Sequence, residues 1–377
     1  MMKPRERVRR ALNHEETDRP PADLGSTCNT SITLIAYRKL ADYLGITVNP
    51  DPPLLSRDMQ VVSVAEPVLE RLGIDTRGIH SGTPDRNRTV ELSEKVYQDE
   101  WGIQYRAAEK NGQPLYYEAV KYPLEDAETI RDIETFSWPD PEDPGRTRGL
   151  VAQARTIREH TQFALVGHMG DTSIFQACTM IRGMEKFLID LILSKPFASA
   201  LLEKVTEIQS VKMIRYLQEI GAYLDVVGVG DDFGAQTGML ISPDLFRNMI
   251  KPHLKRYFRL IRENTAAKLH LHSCGGVREI LSDLIDIGVE VLNPVQVSAR
   301  GMDPETLKHE YGDRLSFWGG IDTHHLMPKG TPEEVTEEVR RIVRILGKGG
   351  GYVLNPVHNI QPDVPPENVA AMYDAIR

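Results

Sequence analysis

Cysteine is scarce in this chain. Only Cys28, Cys178 and Cys274 occur in 377 residues. They are too few, too scattered and odd in number for a disulfide framework, as expected of a protein kept in a reducing cytoplasm. No apolar run approaches the roughly 20 residues needed to cross a bilayer. The opening MMKPRERVRRALNHEETDRP lacks the apolar centre of a signal peptide. The expectation is therefore a cytoplasmic protein with no membrane partner. Net positive charge is missing as well: a formal charge of −9 and a pI near 5.7 argue against a nucleic-acid or acidic-membrane binder. The single basic cluster, Arg5 to Arg10, is interrupted by Glu6 and Val8 and is expected to be the solvated face of an N-terminal helix. No GxGxxG follows an early strand, so nothing marks a dinucleotide site.

What is present is a regular alternation. Short apolar runs (FALVGHMG, DVVGVG, AKLHLHSC, VEVLNPVQ, RLSFWGGID, GYVLNPVHN) each precede a segment with helical spacing. Strand followed by helix, repeated about eight times, implies a parallel sheet. An α/β (β/α)8 barrel accounts for it better than an open sheet, because polar residues follow nearly every strand. A barrel collects its chemistry from many strand ends on one face, and here those ends carry Cys28, His168, Asp171, Asp231, Asp232, His272, Cys274, Gln296, Asp322 and His358. The expected unit is one barrel over 1–377 with a segment of different character inserted at about 85–145. Its aromatic, alternating runs flank Asn111-Gly112, which predicts a β-hairpin. Ser242-Pro243 and the capping box Thr331-Pro332-Glu333-Glu334 should open helices, and Pro252 should kink one.

AKLHLHSCGG, residues 267–276, is the chemical centre of the sequence. Alternation on a strand points His272 and Cys274 the same way, giving the nitrogen–sulfur pair that zinc prefers. Cys274 also precedes a predicted helix start, where amides and the helix dipole favour a thiolate. His270 shares that face but lies deeper, and reads as a core histidine with one hydrogen-bond partner. A third ligand must come from another strand end, and His358 is the best candidate. Asp231 and Asp232 are candidate bases or ligands, with helix capping or a salt bridge as the competing role. Asp322-Thr323-His324-His325 approaches a corrinoid-binding Asp-x-His-x-x-Gly but ends on Met327, so these histidines read as solvent-facing loop residues. Trp318-Gly319-Gly320 marks close backbone approach at the barrel mouth.

PRERVRRALNHEETDRPPADLG, GDDFGAQTGMLISPDLFRNMIKPHLKR, LHSCGGVREILSDLIDIGVEVLNPVQ, FWGGIDT and NPVHNIQPDVPPENV together resemble the uroporphyrinogen decarboxylase superfamily across nearly the whole chain. The resemblance implies a (β/α)8 barrel and one of two activities: decarboxylation of uroporphyrinogen, or zinc-dependent methyl transfer in corrinoid systems. The decarboxylases carry arginines in the loop after the first strand to hold substrate carboxylates, whereas this chain has neither Arg nor Lys from Asp23 to Ala36. His272 and Cys274 match the metal pair of the methyltransferases. Their third ligand is a cysteine near the C-terminus, where this chain has His358, as the decarboxylases do. The resemblance thus implies a methyltransferase with zinc on His272, Cys274 and His358, working with a small-molecule substrate and a corrinoid protein. Asp232, Asp231 and His358 would be its catalytic groups, and His168, Gln296 and Asp322 would line the substrate. A cofactor-free decarboxylase is the alternative, and a non-catalytic module that docks a corrinoid protein the second. Oligomeric state is left open.

Overall fold

A computed structural model describes residues 2–86, 89–110, 112–170 and 172–377; Asn111 and Asp171 fall outside the described residues. Seven short strands form a parallel sheet: β1 (Thr76–His80), β2 (Ala164–His168), β3 (Val226–Gly230), β4 (Lys268–His272), β5 (Val291–Asn293), β6 (Ser316–Trp318) and β7 (Tyr352–Val353). Each strand pairs with the next in sequence, the singly wound order that curls a sheet into a barrel. The eighth position is a minimal strand at residues 21–23. Its backbone accepts from Leu354 and donates to it (Leu354 N to Pro21 O 2.8 Å, Asp23 N to Leu354 O 3.0 Å). On the other side Ala22 O accepts from Asp75 N at 2.9 Å, closing the ring onto the residue before β1.

Strand alternation sorts the apolar residues into two cores. Leu165, Val227, Leu269, Leu271, Leu292, Phe317 and Tyr352 face outward into the layer of helices. Ala164, Val166, Val226, Val291, Trp318 and Val353 fill the lumen together with Val8 and Leu12. The last two belong to helix α1 (Pro4–Leu12), which plugs the N-terminal end of the barrel. Burying such side chains fully is worth about 1.5–3 kcal/mol each.

The basic cluster is not the solvated face expected of it. Arg7 is buried, with Nη1 on Asp75 Oδ1 at 2.6 Å and Nε on Asp18 Oδ1 at 2.7 Å. Arg5 donates to the carbonyls of Phe163, Arg158 and Thr161. Arg9 meets Asp225 at 2.6 Å with half of its side chain exposed, and Arg10, paired with Glu15, is a surface residue. The N-terminal face of a barrel exposes the starts of its strands, and aspartates placed there (Asp75 before β1, Asp225 before β3) supply the counter-charges.

The insertion is also more than a hairpin. Val90–Ser93, Val96–Gln98, Gln104–Lys110 and Gln113–Lys121 make a four-stranded antiparallel sheet in sequence order. Gly112, the second residue of the expected turn, directly precedes the last of these strands. The first strand is wholly exposed and the second is only three residues long, with Tyr97 alone buried, so they carried no alternation that a period-two search would register. The helix signals behave as read: Ser242 caps Leu245, Thr331 and Glu334 form the reciprocal box, and the chain widens to a π turn over Phe246–Ile250 just before Pro252, where the missing N–H would break the ladder.

Candidate metal centre

The C-terminal ends of β3, β4, β5 and the segment after β7 meet in one place. His272 ends β4 between Gly230 of β3 and Asn293 of β5. After it the chain turns so that Cys274 Sγ comes back to 3.4 Å from His272 Nε2. Gly275 permits that turn: its φ is +81°, and a Cβ there would lie 2.3 Å from the carbonyl carbon of Gly234. Gly275→Ala should therefore cost 2 kcal/mol or more in denaturant melts and displace Cys274; a melt within 0.5 kcal/mol (roughly the scatter for harmless changes) would show the loop free to move.

His358 arrives from the segment after β7, held by Val357 N on Ile321 O at 2.9 Å, and its ring lies 5.4 Å from that of His272. One donor atom from each of His272, Cys274 and His358 lies within 4.8 Å of the others. Zinc bonds of about 2.0–2.1 Å to nitrogen and about 2.3 Å to sulfur ask only small side-chain rotations of such a set. The donors are free to take an ion: among the described residues His358 has no hydrogen-bond partner, and Cys274 Sγ hydrogen-bonds to His272 alone. The residues fit the metal. Burial, reinforced by Asp232, pushes the Cys274 thiol up, contrary to the thiolate expected at a helix start. The helix actually begins further on, at Arg278–Ile280 and Leu281–Asp286, so Cys274 gains no dipole, and a thiolate there needs a bound cation. Burial likewise lowers His358 to about 3, leaving a neutral imidazole with a free lone pair.

The two aspartates after β3 part company. Asp231 is fully enclosed, and its oxygens accept from Ile174, Phe175 and Gln176 N–H at 2.6–3.1 Å, capping helix α2 (Phe175–Arg182). That is the structural role weighed for it, and burial raises its carboxyl to about 7. Asp232 faces the cluster, with Oδ1 3.8 Å from His272 Nε2 and accepting from Cys274 N at 2.8 Å. Gln296 Oε1 accepts from Gly275 N at 2.7 Å, so it props the loop that carries Cys274. Asp322 accepts from the amides of His324 and His325; those two histidines are exposed, as expected. His168 is buried in the lumen below the mouth, its Nδ1 accepting from Gly170 N at 2.9 Å.

His270 is a core residue, but neither ring nitrogen has a hydrogen-bond partner among the described residues; its ring packs edge-on against Trp318 at 5.1 Å. Burial lowers it to about 3. An unfolded histidine titrates near 6.5, so below that pH the unfolded chain takes up a proton that the folded one refuses. The stability is whole above pH 6.5 and drains away as pH falls, by about 2 kcal/mol between pH 7 and 5 from this residue. Urea melts should show His270→Leu losing that share of the slope; parallel slopes would mean that His270 titrates normally.

Sequence reasoning passed over Asn293 and His80. Asn293 ends β5 and bonds His272, and His80 ends β1 with its ring 6.4 Å from that of His168. Both are polar ends of apolar strands, the signal that found the others. The inserted segment contributes Tyr97, Trp101 and Tyr105 to a cavity of about 330 Å³ shared with Gly170 and Gln176, which puts it beside the mouth.

The sequence profile of the uroporphyrinogen decarboxylase family matches residues 104–377. The chain belongs to this family. Among its relatives, the methylcobamide:CoM methyltransferase MtaA of Methanosarcina barkeri is 30% identical over 208 residues, which cover 52% of this chain and 57% of that protein. The match thus spans little more than half of the methyltransferase. A uroporphyrinogen decarboxylase of Pseudoalteromonas atlantica is 26% identical over 280 residues, 70% of this chain and 73% of that one. A solved methyltransferase from Methanosarcina mazei superimposes with a TM-score of 0.67 at 21% identity, covering 100% of this chain and 98% of its own; this likeness establishes the barrel fold. No helix among the described residues is long and apolar enough to cross a membrane.

Proposed function

We propose that this member of the uroporphyrinogen decarboxylase family is a zinc-dependent methyltransferase, moving a methyl group between a small methylated compound or a thiol and a corrinoid carried on a partner protein. The observation that carries the reading is the convergence of His272, Cys274 and His358 at the C-terminal end of the barrel. With three donors, a fourth position stays open for substrate, the hallmark of a catalytic rather than a structural site. Zinc bound there would act as a Lewis acid on a methoxy oxygen or would ionise a thiol. Two neutral imidazoles and one thiolate leave more charge on the ion than a two-thiolate set, which favours the methoxy donor.

The protein's own groups do the rest. Asp232, partly exposed and held by the Cys274 amide, is placed to take or give a proton at the departing oxygen or sulfur. His168 forms the floor, and Gln296 and Asp322 hold the rim in shape for substrate. We read residues 1–377 as one barrel unit, with the inserted sheet as a wall beside the mouth, and the cytoplasm as its setting.

Relatives named as decarboxylases support a rival reading, in which His358 and an aspartate bind a porphyrinogen. Against it, residues 23–36 contain no Arg or Lys. Their loop lies over the end of β3, with Asn29 Nδ2 3.5 Å from where a Gly230 Cβ would be. A polycarboxylate placed there would meet no cation from that loop. The test is metal analysis of the purified protein followed by turnover with cob(I)alamin and a panel of methoxy compounds, and with methylcobalamin and thiols. About one zinc per chain and methyl-cobalt formation or loss support the proposal; coproporphyrinogen formed from uroporphyrinogen, with no methyl transfer, overturns it.

A further inference from the structure

Beyond the ligands themselves, the neighbouring amide decides which nitrogen of His272 is available. We propose that Asn293 is a positioning residue that holds His272 as its Nδ1–H tautomer, leaving Nε2 as the donor at the cluster. The inference rests on the metal reading for its purpose, not for its geometry.

Asn293 is completely buried, so both ends of its amide need partners. Its Nδ2 donates to the Trp318 carbonyl at 3.0 Å. A carbonyl can only accept, which fixes the amide's orientation and turns Oδ1 toward β4. There Oδ1 lies 2.5 Å from His272 Nδ1. An amide oxygen also only accepts, so the proton of a neutral His272 must sit on Nδ1. The opposite tautomer would face two lone pairs across that distance in a dry site. Its Nε2 proton would find only the weak thiol acceptor Cys274 Sγ at 3.4 Å, since Asp232 Oδ1 at 3.8 Å is beyond hydrogen-bond reach. Nε2 is therefore left bare, toward Cys274 Sγ at 3.4 Å.

The clamp is itself anchored. Trp318 Nε1 donates to Asp23 Oδ2 at 3.1 Å, and Asp23 is fully buried at the closing segment of the barrel. His272, Asn293, Trp318 and Asp23 thus form a chain of fixed donors and acceptors across the lumen. Among the described residues His358 has no such partner, so the proposed site pairs one preset ligand with one adaptable ligand.

Long-range proton–nitrogen spectra of the metal-free, full-length protein read the tautomer directly. Wild type should show His272 protonated at Nδ1. Asn293→Leu should release it to a mixture and weaken zinc, measured by chelator competition, by about 10–100-fold. Asn293→Asp, which keeps the acceptor, should retain the tautomer and hold zinc within a few-fold of wild type. An Nε2–H tautomer in wild type overturns the proposal, as does a leucine variant that folds with unchanged tautomer and zinc affinity. If the leucine variant does not fold, the wild-type spectrum and the aspartate variant decide. Should wild type bind no zinc, the metal reading falls while the spectrum still tests the clamp.

Discussion

Cys274→Ala should empty the centre: zinc per chain falls from about one to near zero, and methyl transfer drops by about 10³-fold or more, roughly 4 kcal/mol of transition-state stabilisation. Cys274 is the only anionic donor in the His272–Cys274–His358 set, and burial beside Asp232 keeps its thiol protonated until a cation arrives. In the proposed zinc site, binding and thiol ionisation would therefore be one event, and deleting the sulfur would remove both. The side chain is small and partly exposed, so the fold should survive, which thermal melts of the two metal-free proteins would verify. A variant that keeps one equivalent of zinc would place the metal elsewhere and remove the basis of the methyl-transfer reading.

At the opposite end of the barrel, Asp75→Ala should cost about 3–5 kcal/mol, the usual result of stripping one partner from a buried ion pair. Its carboxylate binds Arg7 Nη1 at 2.6 Å and Arg19 Nη1 at 2.7 Å, and accepts from Ala22 N at 2.9 Å. Arg7 is buried in α1, so the substitution leaves a guanidinium short of a counter-charge in a dry site. It also frees the amide at the seam where residues 21–23 close the barrel. Urea denaturation provides the measurement. A loss below 1 kcal/mol would mean that this network is worth no more than surface pairs. Because the seam leads into the loop of residues 25–31 at the far end, a moderate loss of activity should accompany the loss of stability.

Local rules read from the chain hold where a residue's role depends on its near neighbours. Proline and serine or threonine set the starts of the helices at 243 and 332. The expected pairing of His272 with Cys274 is there, but Cys274 lies past the end of β4 and reaches His272 through the turn that Gly275 permits. Polar residues at strand ends assembled on one face because a singly wound parallel sheet leaves all its carboxyl ends together. The insertion fared less well, since the first strand of its sheet is exposed and the second too short to show apolar periodicity.

By itself the sequence determined the barrel, the family and the candidate pair His272 and Cys274, because strand period and helix caps act over a few residues. Only the tertiary structure decided which aspartate faces the cluster. Adjacent residues on a strand end point to opposite sides, and the identity of each side is set by what packs there: α2 for Asp231, the Cys274 loop for Asp232. Likewise, burial is a property of the assembled chain. It turned Arg5 and Arg7 from expected surface residues into a staple, took the expected thiolate from Cys274, and brought His358 across 84 residues to the His272–Cys274 pair.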